Sequence, residues 1–226
     1  MRKDGPTMKF FLDSADLNDV KKAFALGIMD GVTTNPALLA KQSLSYKEGV
    51  LKIVELTGGA TVFAEVLADQ ADDMVKEGRE IASWGPDMIV KLPMIPAGIQ
   101  ACSRLSREGV KCAVTMVFSV AQALVAAKAG AVYIAPFIAR ANEVGVDGLA
   151  TVAEIAEAYE TQGIETGILT ASLRTGRDAA ESLRLGATAV TLPLAVVEGM
   201  MKSPLTEMTL NSFLGQWASK NAGGIF

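Results

Sequence analysis

Lys91 stands in one of the most apolar stretches of the chain, with Met88-Ile89-Val90 before it and Leu92-Pro93-Met94 after it. Burial disfavours the charged form of an amine, and a neutral amine is what attack on a carbonyl carbon requires. A lysine in that setting is either paired with an acid or used as a nucleophile. Other polar residues interrupt or end apolar runs in the same way. Asp13 ends KFFLD, Thr33, Thr34 and Asn35 follow Gly31-Val32, Glu65 lies in VFAEV, and Thr115 lies in AVTMVF. Arg140 closes PFIAR, and Ser172 and Arg174 fall in TASLRT. Taken singly, several have plain structural roles. A strand-end aspartate caps or turns, TTNP is a turn signal, and a strand glutamate usually faces solvent. Gathered at one place, they would supply an amine, carboxylates and hydroxyls for carbonyl chemistry. Burying that many polar groups without partners would cost too much to be incidental. Ser172, Arg174 and the opening of a helix near Thr175 add a hydroxyl, a guanidinium and backbone N–H groups. That set suits a phosphate, and Arg140 could close on the same anion. The competing structural role is helix capping by Ser172 or Thr175 beside a solvated arginine.

Composition narrows the chemistry. The 226 residues include no histidine, which removes Ser-His-Asp and Cys-His catalysis, histidine-ligated zinc and histidine bases together. No metal and no cofactor is expected. A net charge of −4 and an aromatic content of 6% give no nucleic-acid footprint. With 50% apolar residues, 20% charged ones and a mean hydropathy of +0.31, disorder is excluded. Cys102 and Cys112 are too few for a disulfide framework and read as free thiols in a reducing cytosol. Phe10 to Leu12 is too short for a signal segment. The longest apolar run, Ala129 to Ala139, contains Gly and Pro and cannot cross a bilayer of ~30 Å. A cytoplasmic protein with no membrane partner is expected.

The elements that must hold these residues follow from the apolar runs. Candidate strands are Lys9–Leu12, Gly31–Thr34, Thr61–Val66, Met88–Leu92, Cys112–Val117, Val132–Phe137, Gly167–Ala171 and Ala189–Leu192. Most are continuous apolar runs, as parallel strands covered on both faces should be. Amphipathic stretches separate them. Asp16–Leu26 ends before Gly27, and another helix opens on Ser119 and closes on Gly130. Eight β-then-α units in an undivided chain predict a single (β/α)₈ TIM barrel over 9–203, after a tail at 1–8. An open doubly wound sheet would show a glycine fingerprint after its first strand, where this chain has Asp13-Ser14-Ala15-Asp16. The stretch 204–226 adds a C-terminal helix and tail. Its Met208, Leu210, Phe213, Leu214 and Trp217 are surplus apolar surface for a barrel, suited either to a neighbouring subunit or to its own barrel.

Motifs running from Lys9 to Trp217 resemble those of the transaldolase family, in the small subgroup that also holds fructose-6-phosphate aldolases. They are FLDSAD, DGVTTNP, FAEV, VKLP, TMVF, AGAVYIAPFIAR and ASLRT, in that order. The resemblance implies a metal-free barrel that forms a lysine Schiff base, assembled as a ring pentamer or decamer with the terminal helix laid on a neighbour. It implies sugar phosphates as substrates. Lys91 would be the nucleophile and Asp13 the acid/base at the C4 hydroxyl. Glu65 and Thr115 would hold the water that relays protons. Thr33 and Asn35 would contact the dihydroxyacetone portion, while Arg140, Ser172 and Arg174 would bind the distal phosphate.

Within that family, transaldolases carry Glu in the third-strand motif and Phe in the sixth, and the aldolases carry Gln and Tyr. Glu65 and Phe137 follow the transaldolase pattern, and Phe137 joins the substrate-binding set. Ala113 and Ala135 depart from it, standing where transaldolases generally have Asn and Ser, and follow the aldolase branch. The expected activity is transfer of a dihydroxyacetone unit from fructose 6-phosphate or sedoheptulose 7-phosphate to an aldose phosphate. Release of free dihydroxyacetone by an aldolase is the alternative. A barrel isomerase or epimerase of phosphosugars, with Asp13 and Glu65 as bases, is a more distant one, and a non-enzymatic binding barrel is disfavoured by the intact polar set.

Overall fold

A computed structural model describes residues 8–220. Of the expected N-terminal tail only Met8 is among them, and 221–226 of the terminal segment also lie outside the described residues. The eight strands are β1 Lys9–Asp13, β2 Gly31–Thr33, β3 Thr61–Glu65, β4 Met88–Pro93, β5 Cys112–Val117, β6 Tyr133–Pro136, β7 Gly167–Thr170 and β8 Ala189–Leu192. They are all parallel and follow one another in sequence order, with β8 closing on β1. The result is a (β/α)₈ barrel.

The helices on its outside are α1 Leu17–Ala25, α2 Pro36–Leu39, α3 Tyr46–Leu56, α4 Ala71–Ala82, α5 Pro96–Arg107 and α6 Val120–Lys128. After them come α7 Ile138–Glu143, α8 Gly148–Gln162, α9 Gly176–Arg184, α10 Leu194–Met200 and α11 Pro204–Lys220. Two short helices, α2 and α7, were not expected; each interrupts the path from a strand end to its main crossover helix. Local chemistry starts and stops the longer ones. Asp16 accepts from the N–H groups of Asn18 and Asp19 at the head of α1, and Ser119 accepts from Gln122 N–H at the head of α6. Ser45 and Glu48 form a capping box on α3, and α8 ends at Gly163 in the left-handed region at φ 62°.

Side chains two apart on a strand share a face, so each strand sends alternate residues into the barrel. One interior layer is apolar. Phe11, Phe63, Ile89, Ala113, Leu169 and Ala189 fill it, with Tyr133 against them. Phe11 and Phe63 meet edge to face with centroids 5.1 Å apart, and Phe63 meets Tyr133 at 5.8 Å. Gly31 supplies the space beside these rings. A Cβ there would lie 2.0 Å from the Thr61 carbonyl oxygen and 3.1 Å from the Phe11 ring.

The terminal helix α11 stands apart from this core. None of its residues is buried, and Leu205, Met208 and Phe213 are 73%, 67% and 64% exposed. Of the two uses expected for its apolar residues, packing on its own barrel is not the one the structure has.

Candidate active site

Two residues further along each strand, the next interior layer turns polar. Above Phe11 comes Asp13, above Gly31 Thr33, above Phe63 Glu65, above Ile89 Lys91, above Ala113 Thr115, and above Ala189 Thr191. Register puts Asp13 opposite Thr33 and Glu65 opposite Lys91, while Thr33 faces Phe63 and Lys91 faces Ala113, so the polar positions step along the strands from one pair to the next. The layer lies towards the C-terminal ends of the strands, the face from which barrels present their chemistry.

Lys91 is buried, with 7% of its surface exposed. Its Nζ lies 3.4 Å from Glu65 Oε2 and donates to the Thr34 carbonyl oxygen at 3.0 Å. Sequence order alone does not explain why that carbonyl is free for it. β2 ends at Thr33 while β3 runs on to Glu65, so Glu65 overhangs its neighbour. Thr34 N–H still donates to Phe63 O, and Val66 N–H turns the other way to Lys91 O. The backbone of Glu65, which faces the β2 side, is met instead by Tyr46 of α3. Glu65 N–H donates to the Tyr46 hydroxyl at 2.9 Å, and that hydroxyl donates to Glu65 O at 2.5 Å. Tyr46 thus stands in for the missing strand residue. Its ring is braced by Trp84, and burial pushes its phenol well above the usual range.

Asp13 has Thr33 Oγ1 donating to its Oδ1 at 3.0 Å, and Thr33 Oγ1 is in turn 2.6 Å from Thr191 Oγ1. Burial raises the Asp13 carboxyl above its ordinary value. The Lys91 charge, the Thr33 hydrogen bond and the Arg174 charge pull it back in part. A carboxyl raised in this way holds a proton more readily than a solvated aspartate, as an acid/base group requires.

Thr115 is fully buried, and its hydroxyl finds no hydrogen-bond partner among the described residues. A bulge between β5 and β6 follows it, with Met116 held at φ 62°. Asn35 uses its side-chain oxygen to cap α2, accepting from Leu38 N–H at 2.9 Å, so the cap does not engage its NH₂ group. Phe137 sits at the head of α7 with its ring 6.1 Å from Phe118, edge to face.

The residues expected to bind phosphate lie on two adjoining backbone segments. Ile138 N–H and Ala139 N–H donate to the carbonyls of Ala171 and Ser172, so the start of α7 and the segment after β7 run side by side. Ser172 adopts the left-handed region at φ 57°. Arg174 is exposed, and its charge reaches Asp13. Arg140 turns instead to Glu143 on its own helix, at 3.4 Å. Thr175 caps α9 in a capping box with Asp178, which takes up the N–H groups of Thr175 and Asp178. The structural role expected for Thr175 is the observed one.

Sequence reasoning missed three participants. Thr191 carries the same signal as its neighbours, a polar residue inside the apolar run AVTL. Tyr46 and the Thr34 carbonyl carry none, because one acts across 19 residues and the other is backbone.

Fold and site together define a barrel enzyme with a buried lysine 3.4 Å from the Glu65 carboxylate and close enough to Asp13 for its charge to act there. The chain belongs to the Transaldolase/Fructose-6-phosphate aldolase family, whose model matches residues 10–222. It is 45% identical over 210 residues to a probable transaldolase of Anaeromyxobacter sp. (strain Fw109-5), covering 93% of this chain and 97% of that one. A probable transaldolase of Parabacteroides distasonis is 41% identical over 218 residues, covering 95% and 100%. Among solved structures, a thiamine phosphate pyrophosphorylase from Pyrococcus furiosus shares the fold, with a TM-score of 0.60 at 17% identity over 86% of this chain and 94% of that one.

Proposed function

We propose that this protein is a transaldolase that carries a dihydroxyacetone unit from a ketose phosphate to an aldose phosphate as an imine on Lys91. The observation that carries the reading is the position of Lys91. It is buried in the polar layer with Glu65 at 3.4 Å, in the layer that also holds Asp13.

The chemistry would run as follows. Lys91 gives up a proton and attacks the C2 carbonyl of fructose 6-phosphate or sedoheptulose 7-phosphate. Loss of water from the carbinolamine gives the imine, with Glu65 and the Thr115 hydroxyl holding that water. Asp13 takes the proton of the C4 hydroxyl as the C3–C4 bond breaks, and the bonding pair moves into the imine to give an enamine. The aldehyde phosphate leaves, and the enamine carbon attacks the acceptor aldehyde. Asp13 returns its proton to the new hydroxyl, and water then releases the product from Lys91. Thr33 and the Asn35 amide contact the dihydroxyacetone portion. Ser172, Arg174 and Arg140 take the distal phosphate, Arg140 exchanging Glu143 for it.

Phe137 supports transfer over release, because a phenyl ring cannot deliver the proton that would free dihydroxyacetone from the enamine. Ala113 and Ala135, both buried, favour the second reading, a fructose-6-phosphate aldolase, since neither can hydrogen-bond a substrate. A homo-oligomer, pentamer or decamer, is part of the proposal, with the exposed apolar residues of α11 laid on a neighbouring copy. A reducing cytoplasm suits the two buried free thiols. Incubation with fructose 6-phosphate, with and without erythrose 4-phosphate, tests the reading. Consumption should be fast only with the acceptor, and equal release of dihydroxyacetone without it would replace transaldolase by aldolase.

A further inference from the structure

Behind Asp13, two threonine hydroxyls lie buried in the barrel. Thr33 comes from β2 and Thr191 from β8, the two strands that flank β1, and they are 2% and 3% exposed. Their oxygens are 2.6 Å apart, and Thr33 Oγ1 is 3.0 Å from Asp13 Oδ1. Proton counting gives the pair a direction. An ionised carboxylate has no proton to donate and each hydroxyl has one. Thr33 spends its proton on Asp13, so the bond between the threonines must be donated by Thr191.

We propose that Thr191 is a positioning residue for Asp13: its hydroxyl occupies a lone pair of Thr33, holds the Thr33 proton on Oδ1, and so leaves Oδ2 as the oxygen that exchanges a proton with substrate. The inference rests on the reading of Asp13 as the acid/base. A pair of threonines satisfying each other would not need this orientation. Valine has the same shape and would fill the position without a buried hydroxyl to satisfy. The charged groups facing Asp13 are Lys91 from β4 and Arg174 from the segment after β7, with Glu65 of β3 paired to Lys91. The Thr33 bond acts with those two cations against burial, favouring the ionised carboxylate. Strengthening it through a second donor acts in the same direction.

The test titrates Asp13 directly, in substrate-free enzyme, by infrared difference spectroscopy against Asp13→Asn. Thr191→Val should raise the midpoint by roughly half a pH unit, the scale of a partly lost hydrogen bond to the charged form. Thr191→Ser, which keeps the hydroxyl, should titrate as the unaltered protein does. The acid limb of the cleavage rate should move with the infrared midpoint, while KM for fructose 6-phosphate stays within about twofold. A Thr191→Val protein that titrates unchanged overturns the proposal, and so does a Thr191→Ser protein displaced as far as Thr191→Val. If the infrared shift appears but the unaltered enzyme cleaves no ketose phosphate, the positioning role stands and the proposed function falls. If the enzyme cleaves and Asp13→Asn does not, yet Thr191→Val is unmoved, only this inference falls.

Discussion

Replacing Tyr46 by phenylalanine removes one oxygen and keeps the ring against Trp84, so its effect isolates the two hydrogen bonds to the Glu65 backbone. Glu65 N–H and C=O would then face the end of β2 without their partner. Each intramolecular hydrogen bond is worth about 0.5–1.5 kcal/mol net, and a buried group left unpaired costs about 1–3 kcal/mol. A loss of roughly 2–3 kcal/mol follows. For a domain of this length 1 kcal/mol moves Tm by about 2–4 °C, so melting should fall by about 5–10 °C. Function should respond separately. Continuing the parallel ladder would bring Glu65 N–H to the Thr34 carbonyl, which now holds Lys91. Competition for it, together with a looser Glu65, should lower kcat several-fold and leave KM for the phosphorylated substrate near its original value. Calorimetry and steady-state kinetics on the same preparation give both numbers. A melting point within about 1 °C of the unaltered protein, with kcat unchanged, would refute the surrogate-strand account.

Asp13→Asn should abolish cleavage while stabilising the fold at neutral pH. Burial holds the Asp13 carboxyl above the usual 3.8, so the folded state binds that proton more tightly than the unfolded chain. Its contribution to stability is therefore full below about 3.8 and is lost as pH rises through the folded midpoint. The Tm difference between Asp13→Asn and the unaltered protein should grow from pH 4 to pH 7, and a difference that shrinks would contradict the sign. Arg174→Ala should raise KM for fructose 6-phosphate about 10- to 150-fold, the scale of one charge-assisted hydrogen bond of roughly 1.5–3 kcal/mol. Unphosphorylated dihydroxyacetone should be little affected; equal effects on the two substrates would remove Arg174 from the phosphate site.

All eight strands were legible because parallel strands covered on both faces read as unbroken apolar runs. No end differs from its expected place by more than one residue. β1 extends through Asp13, whereas β2 stops at Thr33 and β3 at Glu65. Those small differences matter, because the mismatch between β2 and β3 creates the gap that Tyr46 fills. Asp13, Thr33, Glu65, Lys91 and Thr115 were visible as polar interruptions at interior positions. Their partners were not, since pairing depends on barrel closure: Thr191 reaches Thr33 across 158 residues. The apolar residues of α11 were also visible, but a periodic pattern does not say what surface a helix will meet. Arg140 shows the limit of reading a lone arginine, because Glu143 one turn away accepts it in the resting structure.

The central claim is that Lys91 bonds covalently to substrate. Borohydride reduction in the presence of fructose 6-phosphate, followed by peptide mass spectrometry, should place a reduced sugar adduct on Lys91, and Lys91→Arg should remain folded and unlabelled because a guanidinium stays protonated. An adduct on Lys111 or Lys128, or no adduct under conditions where the enzyme turns over, would contradict it.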